Sequence, residues 1–107
     1  MEQRETAVKE HIELRDDIRK PKMYLVYVMN DDFTAFEFVV FLMVQVFGKT
    51  EDEGWDIAEH THHDGKGLVG KYNYDMAKTK TGKAVSLARA SGYPLNFTMI
   101  PEGNDET

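Results

Sequence analysis

The chain has 107 residues, with 13 basic against 19 acidic side chains, four histidines and a formal charge of −6, and its length fits a single domain. It contains no cysteine, which excludes disulfides, Cys-zinc sites and thiol nucleophiles together. The acidic balance argues against a nucleic-acid surface, which depends on clustered Lys and Arg, and favours basic or amine-bearing partners.

Residues 1–20 carry eleven charged side chains of both signs and few apolar ones, Val8, Ile12 and Leu14 among them, so a solvated helix or a disordered extension is expected there. No charged-then-apolar leader and no apolar run near the ~20 residues of a membrane span are present, and a soluble cytoplasmic protein is expected. After Pro21, "MYLVYVM" is rich in β-branched and aromatic residues and predicts a buried strand. Thr34 followed by Glu37 has the form of a capping box opening "AFEFVVFLMVQVF", with Gly48 ending that helix. The helix is apolar on every side, so it is either buried all round or uses one face for something other than the core. Thr50 with Glu53 opens a second helix running to Asp64, with Gly65 beyond it. "KGLVGKYNY" predicts a strand in which Gly67 and Gly70 mark a bulge or a close backbone approach. Met76, Ala77, Lys80, Ala84, Leu87 and Ala88 recur near helical spacing up to Gly92. "LNFTMI" then alternates Leu95, Phe97 and Met99 against Asn96 and Thr98, as a half-buried strand does. The order β-α-α-β-α-β predicts an α+β fold, a small three-stranded sheet with three helices packed on it. The acidic residues 102–107 form a tail.

Three constellations could carry chemistry. "EHTHHDG" places His60, His62, His63 and Asp64 together and nearly matches H-x-H-x-D-H, but Gly65 stands in the last position. Histidines closing a helix more ordinarily compensate its dipole, so no metal and no cofactor is expected. Ser86 and Ser91 lie in no nucleophile elbow, and adjacent Asp31 and Asp32 usually point apart, so catalysis is not expected. "GKGLVGK" lacks the lysine and hydroxyl placement of a phosphate loop. The turn "NDD" remains. Asn30 and Asp31 at the mouth of an apolar helix could hold an ammonium while Phe36 and Val39 hold an attached side chain. The alternative is a capped helix with Asp31 and Asp32 in solvent.

"KPKMYLVYVMNDDFTAFEFVV", "HHDGKGLVGKYNYDMAKTK" and "YPLNFTMI" together resemble the ClpS adaptor family over Pro21 to Ile100. The resemblance implies a domain over 21–101 with three antiparallel strands and three helices. It implies a non-catalytic adaptor that binds the free α-amino group and the Leu, Phe, Tyr or Trp side chain of N-degron substrates. The adaptor then hands them to a ClpA-type AAA+ unfoldase. By position, Asn30, Asp31 and His62 would bind the α-amino group and first peptide unit, with Asp32 and Thr34 completing the rim and His62 acting as a neutral acceptor. Phe36, Val39, Ala58, Thr61 and Leu95 would line the side-chain pocket, and Asp75 and Lys80 would dock on the unfoldase. Segment 1–20 would be the extension that promotes hand-over. A monomer without nucleic-acid or membrane partners is implied. Phe36 and Ala58 stand where Met is frequent in the family, and Thr61 where Val is common, so altered or lost N-degron specificity is the alternative. The ribosomal stalk protein's C-terminal domain shares the fold but lacks the NDD turn and the H-x-x-G-K block.

Overall fold

The computed structural model describes residues 22–103, so segment 1–20 and the last four residues of the tail lie outside the described residues. The near-continuous apolar run "MYLVYVM" forms the central strand. β1 (Met23–Met29) is followed by α1 (Phe36–Gln45), α2 (Glu51–Asp64), β2 (Lys66–Asn73), α3 (Tyr74–Ala90) and β3 (Asn96–Pro101). Both neighbours pair antiparallel with β1, and the sheet order is β2-β1-β3. The expected fold class and element order are those observed.

Val26 and Val28 point into the helical layer and are fully buried. Opposite them, α3 supplies Ala77, Ala84 and Ala88, each fully buried. Small side chains at these helical spacings let α3 lie close on the sheet. Val39, Val40, Leu42 and Met43 of α1 complete the core. The pairing shifts between Val26 opposite Gly70 and Tyr27 opposite Leu68, which makes Val69 the extra residue of a bulge and buries it. No helix among the described residues is long and apolar enough to cross a membrane.

The helix ends explain how the site is assembled. At α2 the capping box forms as expected: Thr50 Oγ1 accepts from the Glu53 amide at 3.1 Å and Glu53 Oε1 from the Thr50 amide at 2.8 Å. The Thr50 backbone hydrogen bond is the main reason the Glu53 carboxyl lies below its ordinary range. Gly65 stops α2 with φ 90°, a left-handed value that glycine adopts without a Cβ clash. At α1 the expected box does not form. The N-cap is Ala35, with no side-chain cap: the helix starts one residue later than the box requires, and Thr34, ahead of the cap, donates its hydroxyl to Asp31 Oδ2 at 2.8 Å. α1 also ends at Gln45, ahead of Gly48, which holds φ 70° in the following turn.

α2 crosses the start of β2 at near-backbone contact. A Cβ on Gly67 would collide with the Thr61 hydroxyl and meet the Ile57 carbonyl at 3.0 Å. That close approach brings the last turns of α2 down onto the start of β2, the strand segment paired with the end of β1.

Candidate functional site

Four pieces of backbone converge where β1 ends: the turn 30–34, the first turn of α1, the last two turns of α2 and Leu95 just before β3. Between them lies a small open cavity of about 40 Å³, lined by Met29, Asn30, Asp31, Thr34, Phe36, Val39, Ala58, Thr61, His62 and Leu95. The structure thus brings together nine of the ten residues expected at the rim and pocket. Asp32 is exposed on the turn and does not line the cavity.

The polar side is built on Asp31. Its Oδ1 accepts from the amides of Phe33 and Thr34, both at 2.7 Å, and its Oδ2 from the Thr34 hydroxyl. Partial burial pushes the carboxyl up, but the Thr34 hydroxyl, the Phe33 and Thr34 amides and the Arg89 guanidinium outweigh this and hold it below its ordinary value. A carboxylate has about four lone-pair sites. Three are taken by the turn, so one remains on Oδ2 for an incoming donor. Thr34, expected on the rim, acts here as the group that orients Asp31.

Asn30 is exposed, and its backbone N–H donates to the Gly65 carbonyl at 2.9 Å, which binds the turn to the end of α2. His62 is exposed at the cavity edge, its ring edge-on to Phe36 with centroids 6.1 Å apart. The histidine cluster divides: His60 Nε2 pairs with Asp64 Oδ2 at 2.9 Å, and neither lines the cavity. Among the described residues no group of three His, Cys, Asp or Glu side chains converges as a metal site would require.

The apolar side is a wall of Val39, Ala58 and Leu95, all buried, with Phe36 half-buried above it. Thr61 is also buried, and its hydroxyl donates to the Ile57 carbonyl at 2.7 Å, so no unsatisfied polar atom is left in the wall. An open acceptor therefore sits beside hydrocarbon, which fits a ligand cationic at one end and apolar next to it. Two residues escaped the sequence reading. Met29 lines the cavity as the last residue of β1, and Trp55 packs on Phe36 from outside it. Its i, i+3, i+7 spacing puts Trp55 on one stripe of α2 with Ala58 and His62, but only the contact with Phe36 shows what that stripe faces.

Asp75 and Lys80 lie away from this cavity. Asp75 is exposed in the first turn of α3, beside a shallow depression with Lys22, Tyr24 and Tyr74. Lys80 is half-buried, and its Nζ donates to the Val46 carbonyl at 3.2 Å, closing the end of α1.

Residues 19–98 match the family model for the ATP-dependent Clp protease adaptor protein ClpS. The chain is similar to the ClpS adapter of Clostridium acetobutylicum, 42% identical over 94 residues covering 88% of this chain and 93% of that one. It is also similar to that of Helicobacter hepaticus, 45% identical over 78 residues, 73% of this chain and 79% of that one. Among solved structures it resembles Agrobacterium tumefaciens ClpS2 bound to L-phenylalaninamide, with a TM-score of 0.74 and 39% identity over 77% of this chain and 99% of that one.

Proposed function

The chain belongs to the ClpS family of Clp protease adaptors, and on that premise we propose that it binds the free α-amino group and bulky first side chain (Leu, Phe, Tyr or Trp) of N-degron proteins and delivers them to a ClpA-type unfoldase. The observation that carries this reading is the junction, in one cavity, of Asp31 with an acceptor site to spare and the wall of Phe36, Val39, Ala58, Thr61 and Leu95. An α-amino group, with a pKa near 7.7–8.0, is largely protonated at neutral pH and donates three hydrogen bonds. Asp31 Oδ2, the Asn30 side-chain oxygen and a neutral His62 nitrogen are the acceptors. Asp32, exposed beside the rim, adds negative charge at the mouth. L-Phenylalaninamide, bound by the Agrobacterium relative, carries the same pair of groups: a free amine and a bulky apolar side chain.

Burying a Leu or Phe side chain contributes roughly 1.5–3 kcal/mol, and each charge-assisted hydrogen bond about 1.5–3 kcal/mol. Three such bonds and the burial total about 6–12 kcal/mol, and after a cost of ordering of at least about 4 kcal/mol the net is about −8 kcal/mol at its most favourable, so micromolar is the tightest affinity expected. Such binding suits an adaptor that must release its cargo without doing chemistry on it. Asp75 and Lys80 are the docking residues for the unfoldase. Contact through Lys80 would exchange its bond to Val46, whereas Asp75 is available as it stands.

A second reading, a ClpS-fold interaction domain with altered or lost N-degron specificity, is favoured by the small cavity and by Phe36, Ala58 and Thr61 in its wall. Fluorescence anisotropy with peptides differing only in residue one separates the two. Acetylating the Leu or Phe peptide is expected to weaken binding by about a hundredfold, the equivalent of about two charge-assisted bonds. Equal affinity for free and acetylated peptides would overturn the first reading.

A further inference from the structure

Trp55 is the chain's sole tryptophan, and it is 40% exposed on α2. It lines no part of the cavity described above, yet its ring lies 5.4 Å from that of Phe36, the planes tilted by 34°. Trp55 and His62 are seven residues apart, two helical turns, so both face Phe36 from one stripe of α2 with Ala58 between them. On its outer side Trp55 borders a second depression with Val40, Phe41 and Val44. The pair Phe36–Trp55 is thus the partition between the cavity and this outer depression.

We propose that Trp55 is a positioning residue for specificity: by buttressing Phe36 it sets the width of the cavity and hence which first residues fit. This rests on the reading of the cavity as the site of the first residue. Phe36 is the first helical residue of α1 and half-buried, one side packed against the core and the other against the Trp55 indole, so the indole is one of the two surfaces that hold its ring in one staggered well. An aromatic pair biases such a choice by about threefold to tenfold. Without the indole, the outer depression is open to the Phe36 ring, and the cavity grows in the direction a larger first side chain needs.

The test uses the full chain, with Trp55→Ala and Trp55→Phe, and labelled peptides beginning with Leu, Phe or Trp. Trp55→Ala is expected to shift the affinity ratio toward the Trp peptide over the Leu peptide by about threefold to tenfold, with Trp55→Phe close to the parent. An unchanged ratio, or an equal loss for all peptides, overturns the proposal. A second readout needs no variant. Titrating the parent with a Leu peptide free of aromatic residues is expected to change the tryptophan emission saturably, and constant emission at saturation overturns it. Failure of the adaptor reading shows differently, as undiminished binding of acetylated peptide by the parent protein.

Discussion

Asp31→Asn removes one charge and keeps the outline of the side chain. In the parent, the carboxylate takes two amides at 2.7 Å and a hydroxyl at 2.8 Å. The substituted amide oxygen can still accept both backbone bonds, but each falls from the charge-assisted class, about 1.5–3 kcal/mol, to the neutral class, about 0.5–1.5 kcal/mol. Because Asp31 is only half-buried, solvent screening reduces the difference to a total of about 1 kcal/mol. For a domain of this size that lowers Tm by about 4–8 °C. Binding loses more. One bond from the peptide ammonium to a partly screened carboxylate, at the low end of about 1.5–3 kcal/mol, corresponds to about a tenfold rise in Kd. The sign of the pH dependence follows from Asp31 lying below its ordinary value of 3.8. A depressed carboxyl contributes stability that is complete above its unfolded value and lost as pH falls through the lower folded value. The Tm difference between parent and variant should therefore stay constant from pH 7.5 to 5 and close below about pH 4. Anisotropy with a Leu peptide and melts across that range check both arms. A Kd within about twofold of the parent, with acetylated peptide still rejected, would refute the role of Asp31.

Leu95→Ala removes a side chain that is 1% exposed and shared between core and cavity. It should cost about 2–5 kcal/mol in urea unfolding, and a loss below about 1 kcal/mol would show that the site collapses freely. Gly67→Ala places a Cβ against the Thr61 hydroxyl and the Ile57 carbonyl. About 1–3 kcal/mol of destabilisation is expected, and an unchanged melt would mean that α2 can lift from β2. Phe36→Met combined with Ala58→Met exchanges a ring for a flexible thioether on one wall and adds bulk to the other. The ranking of Leu, Phe, Tyr and Trp peptides should change, and identical rankings on a peptide array would remove these two residues as its cause.

Local chemistry was legible wherever one interaction had no rival. The Thr50–Glu53 box, the Gly65 stop, the β-branched and aromatic run of β1 and the alternation of β3 each follow from residues within a few positions of one another. Thr34 shows where such reading ends. Its hydroxyl could donate to Asp31 and accept from a helix amide at once, and only the path of the turn, which puts the N-cap at Ala35, decides that it caps nothing. Asp32 falls outside the cavity because neighbouring residues on a turn diverge, as its adjacency to Asp31 suggests, whereas the family motif by position groups both on the rim. Trp55 was missed for a different reason: its role depends on a contact with another helix, and spacing along α2 alone does not say what the stripe faces. The bonding partner of Lys80, thirty-four residues away at Val46, was equally invisible in the chain order.

The hydrogen bond from the Asn30 backbone N–H to the Gly65 carbonyl has a kinetic corollary. It clamps the two jaws of the polar rim, one on a turn and one on a helix end, at a fixed gape before any guest arrives. The entropy of aligning those jaws is spent during folding, so capture of an amine should need no waiting step. Stopped-flow association should then be single-exponential and linear in peptide concentration. Guests of different bulk then meet a gape already set on the polar side, and Phe36, half-buried where the rest of the wall is buried, is the part of the opposite side with most room to adjust.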